Sequence, residues 1–281
     1  MTTQLIRRMR PLLGTFVEIN VYASLDKPQT ELAIRSAYAK IERIQNLMSA
    51  HDPASELSKL NHSNGEWVPL SLETSEVLSL GLYLQNKTQN RFNCFSNAFL
   101  ADEGILPNLQ PTKTAQILSE NTTLVAEDLE IKGLKGRAKR PLLISLDGIA
   151  KGYAVDAAVE ILQKHGIESG WINAGGDSRI FGDTSLECIQ SSQKNLQPLS
   201  SLGQLTNCAI ATSEVSDSEN LSYPSKIIDH KGISPPTATV TIIAKKTWLA
   251  DALTKVFLLT PPEEHKQLAQ VFKVDYHYRL H

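Results

Sequence analysis

Three short stretches of the chain combine residue types that phosphate and cation chemistry uses. Leu146-Asp147-Gly148-Ile149-Ala150-Lys151-Gly152 joins a strand end, two glycines and a lysine to the start of a helix. That arrangement offers backbone N–H groups and a cation to a phosphate. Neither the Walker spacing GxxxxGK(S/T) nor GxGxxG is present, so no nucleotide fingerprint is being read. The plainer alternative is a tight turn at Gly148, a close helix–strand contact at Gly152 and Lys151 in solvent; pattern alone leaves both open. Gly175-Gly176-Asp177 interrupts two apolar runs. Paired glycines there permit a ligand to approach the backbone, or they form a β-turn in which Asp177 bonds its own backbone. Asp251, Thr254 and Lys255 stand at i, i+3 and i+4 and share one helix face. They can converge on a ligand or cation, or make an exposed ion pair worth about a few tenths of a kcal/mol. The seven histidines are spread along the chain, and His277 and His281 fall in a tail expected to be mobile, so no histidine-built metal site is expected.

The elements that must position these residues are read from periodicity. Residues 14–23 alternate with Val17, Ile19 and Val21 on one face, the signature of a half-buried strand. Thr30 is the expected N-cap of a helix carrying Ile34, Ala37, Tyr38, Ile41, Ile44 and Met48 and ending near 51–53. A second helix over 72–85 tolerates Gly81 at a cost of about 1 kcal/mol relative to Ala, and the two helices form a hairpin-like pair. Between 102 and 140 only a strand near 129–131 is legible. Residues 141–146 read as a buried strand running into the Gly148 turn, and 153–165 as a helix closed by Gly166. Strands at 171–174 and 178–181 flank the paired glycines, 184–207 form edge strands or loops, 237–244 a β-branched strand, and 249–259 an apolar helix. No internal repeat or long linker appears, which predicts a single domain over 1–281.

Composition narrows the class. With 281 residues, 41% apolar, 21% charged, 15 Gly and 13 Pro, the chain is neither disordered, collagen-like nor a fibrous coiled coil. Lys+Arg 28 against Asp+Glu 30 leaves a net charge of −2, so no basic field exists to hold nucleic acid. Cys94, Cys188 and Cys208 lack a CxxC and match neither a disulfide framework nor a zinc pair. Behind Arg7, Arg8 and Arg10 the apolar run stops at Glu18 without a cleavage site or acceptor cysteine, so a cytoplasmic location is expected. No apolar stretch reaches 18 residues, so no membrane span is expected.

Taken in order, the blocks Gly14-Thr15-Phe16-Val17-Glu18-Ile19, Ser55-Glu56-Leu57-Ser58-Lys59-Leu60-Asn61, Gly148-Ile149-Ala150-Lys151-Gly152-Tyr153-Ala154-Val155-Asp156, Asn173-Ala174-Gly175-Gly176-Asp177, Ala211-Thr212-Ser213, Ile227-Ile228-Asp229 and Ala250-Asp251-Ala252-Leu253-Thr254-Lys255 resemble those of the ApbE family of FAD:protein FMN transferases. The resemblance runs over about 10–260, leaving 261–281 as a C-terminal extension. It implies an α+β, T-fold-like protein with antiparallel sheets and packed helices. It further implies an FAD cleft and Mg²⁺-dependent transfer of the FMN moiety to a Thr or Ser hydroxyl of a partner flavoprotein. On this resemblance Asp229 is the candidate base and Lys151 a catalytic cation. Thr15, Gly148, Ile149, Ala150, Lys151, Gly175, Gly176, Asp177, Thr212 and Ser213 contact the dinucleotide, while Asp251, Thr254 and the Gly148 carbonyl hold the metal, hard oxygen ligands suiting Mg²⁺.

The chain departs from the common pattern of that family at several positions. Lys255 stands four residues after Asp251 where most members have Thr, so either Thr254 reaches the ion or the Lys255 ammonium takes the cation's place. Lys226 replaces a histidine, His230 a proline, Glu214 a glycine, Asn93 an aspartate and Ser145 another aspartate. The alternative reading is a flavin-binding pseudoenzyme or FAD pyrophosphatase without transferase activity.

Overall fold

A computed structural model describes residues 4–23, 26–105, 108–120, 122–191, 198–215, 227–229 and 231–281; Lys226 and His230 lie outside the described residues. In chain order the strands are β1 (Gln4–Leu12), β2 (Thr15–Ala23), β3 (Val68–Pro69), β4 (Leu129–Lys132), β5 (Lys135–Ala138), β6 (Ser169–Ala174), β7 (Asp177–Phe181), β8 (Ser185–Ser191), β9 (Pro198–Thr206), β10 (Ala209–Val215), β11 (Ala238–Ala244) and β12 (Asp275–Leu280). The helices are α1 (Lys27–Met48), α2 (Glu56–His62), α3 (Leu72–Lys87), α4 (Asn97–Asp102), α5 (Pro111–Glu120), α6 (Ala150–Lys164), α7 (Thr247–Leu258) and α8 (His265–Phe272). A seven-stranded sheet runs β1-β2-β6-β7-β10-β11-β12, and each of its pairings is antiparallel. This is the α+β architecture expected from the sequence.

The alternation in β2 places Val17, Ile19 and Val21 at 0% exposure against the helices. α1 packs on α6, α6 on α7, and α7 on β10 and β11, so the core lies between the sheet and this helical layer. β11 is buried on both faces; its threonines Thr239 and Thr241 point away from α7, and Thr241 bonds Gln190 of β8 at 3.1 Å.

Several expectations are corrected. Asp26 rather than Thr30 caps α1: its carboxylate accepts from Gln29 N at 2.8 Å, with Pro28 in the first turn where its missing N–H costs nothing. Thr30 lies inside that turn, its hydroxyl on Asp26 O at 2.9 Å, and the helix ends at Met48. The basic N-terminal segment is a strand, β1, in which Arg10 lies 4.7 Å over the Tyr38 ring and Arg7 5.9 Å over Trp171. Residues 142–146 are buried but join no sheet among the described residues. Their backbone is satisfied by side chains instead: Asn61 accepts from Ile144 N at 2.8 Å and donates to Ile144 O at 3.0 Å, and Ser145 N donates to Cys94 O at 2.9 Å. Gly81 earns its place in α3 because a Cβ there would meet Cys94 Sγ at 2.6 Å. The tail expected to be mobile is ordered as β12, with His277 opposite Thr241 and His281 Nε2 2.7 Å from Thr239 Oγ1.

Candidate active site at the crossing of α6 and α7

α6 begins where the buried 141–146 segment turns out at Asp147 and Gly148. Leu146 O accepts from both Ile149 N at 3.0 Å and Ala150 N at 2.8 Å, which tightens the turn. Ile149 is fully buried, whereas Gly148, Ala150 and Lys151 are half-buried. One turn on, α6 meets the N-terminus of α7 so closely that a Cβ on Gly152 would lie 2.5 Å from Thr247 O. The contact expected between helix and strand is therefore a helix–helix contact, and glycine is the residue that permits it.

Two buried aspartates lock this crossing. Asp156 accepts from Thr247 N at 2.7 Å, Thr247 Oγ1 at 2.9 Å and Trp248 N at 3.1 Å, and so caps α7 from a neighbouring helix. Burial pushes its carboxyl up, while these donors and the charges of Lys246 and Arg179 pull it down. Asp251, at 0% exposure, accepts from Gly152 N at 3.0 Å through Oδ2. Its other carboxylate oxygen is taken by the Lys255 ammonium, which also bonds Asp251 O at 3.0 Å. Thr254 Oγ1 donates to Asp251 O at 2.7 Å and lies 2.7 Å from Ser213 Oγ.

The third element is the hairpin between β6 and β7. Gly175 and Gly176 have φ of +59° and +100°, the left-handed pair of a type I′ turn, and both are exposed. Asn173 braces the turn by accepting from Gly176 N and Ser178 Oγ, each at 3.1 Å. Asp177 does not bond its own turn. It is 2% exposed and its Oδ2 lies 2.8 Å from Lys151 Nζ, an ion pair whose alignment misses hydrogen-bond geometry. Burial and then the nearby Asp251 charge push its carboxyl up to about 6, against the opposing pull of Lys151 and Lys255. Burial would lower the Lys151 ammonium, but Asp177 and Asp251 together hold it above its ordinary value. Lys151 is thus a paired cation rather than one in solvent.

The structure brings Lys151, Asp177, Asp251, Thr254 and Ser213 into one cluster, with Gly148, Ile149 and Ala150 leading into it. Thr15 lies against the glycine turn, since a Cβ on Gly175 would meet its hydroxyl at 2.7 Å. Thr212 alternates to the opposite face of β10, where its hydroxyl is 2.8 Å from Thr241 Oγ1. Asp229 is half-buried in a separate loop, where its Oδ1 accepts from Lys231 N and Ile233 N at 2.8 Å each. A cavity of about 380 Å³ lies between Lys231 and the strap that includes Asn93, Phe95 and Ser96. That strap carries the Cys94 carbonyl bonded by Ser145, and its Phe92 ring comes within 3.4 Å of a Cβ placed on Gly148. The strap thus connects the wall of the cavity to the segment before α6, although none of residues 145–152 is among those lining it.

Magnesium prefers several oxygen ligands in near-octahedral array. Both carboxylate oxygens of Asp251 and the Thr254 hydroxyl already have protein partners, and among the described residues no group of three or more His, Cys, Asp or Glu converges. The side chains expected to hold Mg²⁺ are together, yet as placed they do not present a vacant ligand set.

Two roles escaped the sequence reading. One is the cap that Asp156 provides to α7, whose signal in the sequence is a carboxylate inside the apolar run Ala154-Val155-Asp156-Ala157-Ala158. Asn61 holds the segment leading to the site through a pair of bonds that nothing in local spacing announces.

The ApbE family model matches residues 13–278, beyond the 260 at which the resemblance was expected to end. The FAD:protein FMN transferase of Vibrio cholerae is 26% identical over 254 residues, spanning 83% of this chain and 75% of that protein. The crystal structure of the ApbE protein from Thermotoga maritima superposes with a TM-score of 0.84 at 22% identity, covering 99% of this chain and 94% of that one. The apo flavinyl transferase ApbE of Pseudomonas stutzeri gives 0.82 at 20% identity over 100% of this chain and 94% of that one. The two superpositions establish a shared fold, and the family model covers nearly the whole sequence. The chain belongs to the ApbE family.

Proposed function

We propose that the chain is an FAD:protein FMN transferase. The observation that carries this reading is the cluster of Lys151, Asp177, Asp251 and Lys255, two ammonium and two carboxylate groups gathered where α6, α7 and the exposed glycine turn meet. A diphosphate entering there meets two ammonium groups and an open backbone at Gly175 and Gly176, and the carboxylates hold the ammonium groups in place before it arrives. The cavity beside Lys231 offers room for one end of the dinucleotide, with Phe95 and Phe99 in its wall.

In the reaction, a Thr or Ser hydroxyl of the acceptor protein attacks the FMN-side phosphorus. The new O–P bond forms as the bond from that phosphorus to the bridging oxygen breaks, and AMP leaves with the bridging oxygen. Charge grows on that oxygen, and Lys151 and Lys255 are the cations placed to offset it. The hydroxyl proton passes to Asp229, whose loop is fixed by its own backbone bonds. Asp177 keeps Lys151 in the cluster through its charge. The Mg²⁺ that the resemblance implies has no step in this scheme. We assign the reaction to the cytoplasm, a reading supported by three cysteines whose spacing matches no disulfide framework; among the described residues no helix is long and apolar enough to cross a membrane.

The test is incubation with FAD and a peptide bearing a threonine flavinylation site, followed by in-gel fluorescence and mass analysis. Flavin covalently on the peptide with equimolar AMP supports the reading. FMN and AMP released without labelling would show hydrolysis instead, and FAD recovered intact would reject both.

A further inference from the structure

We propose that the Lys255 ammonium is a built-in replacement for a divalent cation at Asp251, so that this chain binds the diphosphate of its substrate without metal. The metal half of the claim stands by itself; the ligand half rests on the reading of the site as an FAD site.

A hard cation at this place would take oxygens of Asp251. Lys255 Nζ already bonds the side-chain Oδ1 and the main-chain O of that one residue, while Gly152 N–H occupies Oδ2. Thr254 Oγ1, the next oxygen, is turned onto Asp251 O and Ser213 Oγ. Two of these oxygens are thereby taken by the ammonium and the other two by protein hydrogen bonds. An i,i+4 Asp–Lys pair on an exposed helix face is worth little, and nothing requires it to be buried. Here the Asp251 side chain is 0% exposed and that of Lys255 23%, so the carboxylate has been taken out of water at a cost that the half-buried ammonium beside it offsets. The residual exposure of Lys255 leaves its charge within reach of an anion. With Lys151 it gives the site two cations against the two carboxylates, a neutral cluster in which a divalent ion would add to charge already balanced.

The experiment titrates Mn²⁺ and Mg²⁺ by calorimetry into wild type and Lys255→Thr, each without FAD, then measures FAD affinity with Mg²⁺ and with EDTA. Lys255→Arg, which keeps the charge, is the control. The wild type should show no divalent binding at this site, and EDTA should leave its FAD affinity unchanged; Lys255→Arg should behave likewise. Lys255→Thr frees the Asp251 oxygens and should bind Mn²⁺ at least about tenfold more tightly than wild type, with FAD affinity now dependent on metal. Wild-type Mn²⁺ affinity equal to that of Lys255→Thr, or loss of wild-type FAD binding in EDTA, would overturn the proposal. Those wild-type measurements decide it even where Lys255→Thr does not fold. A wild type that binds no FAD in any condition sinks the flavin reading, and the metal titration still judges this one.

Discussion

The carboxylates of Glu73 and Asp177 are each flanked by two cations, and they respond in opposite directions. Glu73 on α3 accepts from Lys40 Nζ at 2.7 Å and Arg43 Nε at 2.8 Å, and its carboxyl is held down at about 2, chiefly by the Arg43 hydrogen bond. Asp177 has Lys151 at 2.8 Å and Lys255 nearby, yet its carboxyl is pushed up to about 6. The difference lies in what else surrounds them. Glu73 has directed donors and partners that reach water, Arg43 being 55% exposed. Asp177 is sealed in, its ion pair is poorly aligned, and the Asp251 charge repels it. The first arrangement is satisfied and clamps α1 to α3. The second keeps a buried carboxyl above its ordinary range beside a second carboxylate and two ammonium groups, the kind of perturbed cluster that marks a candidate binding site rather than a brace.

The comparison can be broken most forcefully at Asp251. Asp251→Ala removes the carboxylate partner of the Lys255 ammonium and leaves the buried Gly152 N–H unsatisfied; it should lower unfolding free energy by about 3 kcal/mol in denaturant titration and abolish flavin transfer. Asp156 is the intermediate case, buried like Asp177 but saturated by protein donors. Asp156→Ala uncaps α7 and should cost about 2–3 kcal/mol, with FAD affinity falling because Asp251 shifts with its helix.

Asp177 and Glu73 then supply pH signatures of opposite sign. The Asp177 carboxyl titrates at about 6 folded against an ordinary 3.8, so its contribution to stability is full below 3.8 and is lost as pH rises through about 6. The unfolding free energy of wild type minus Asp177→Asn should therefore shift in favour of wild type as pH falls from about 7 to 4. Glu73 titrates at about 2 folded against 4.5, so its contribution is present above 4.5 and is lost as pH falls toward 2. Glu73→Gln should cost only about 1 kcal/mol at neutral pH and flatten that acid limb. Identical pH slopes in the two variants would remove the distinction between the sites.

What the sequence made legible was whatever rests on local periodicity or chain-adjacent motifs. The strand at β2, helices α3, α6 and α7, and the β6–β7 hairpin follow from alternation and glycine placement. The convergence of Lys151, Asp177 and Asp251 came only through the family blocks, because α6, β7 and α7 are separated by tens of residues and their meeting is a tertiary fact. The strand expected at 141–146 failed for a related reason. A run of buried apolar residues fits either a ladder or a packed strap, and only the distant Asn61 and Cys94 decide which. The order of β12 does have a local signal, Tyr276 and Tyr278 alternating with His277 and Arg279, but a period of two that short in a charged tail is weak.

The central claim, that a flavin dinucleotide is held by its diphosphate where α6 and α7 cross, is tested most directly by comparing FAD with riboflavin on wild type and Lys151→Met by fluorescence titration. Riboflavin lacks the phosphates. The account predicts that FAD affinity drops at least about tenfold in the variant while riboflavin affinity is unchanged. Equal losses for both ligands, or no loss for FAD, would contradict it.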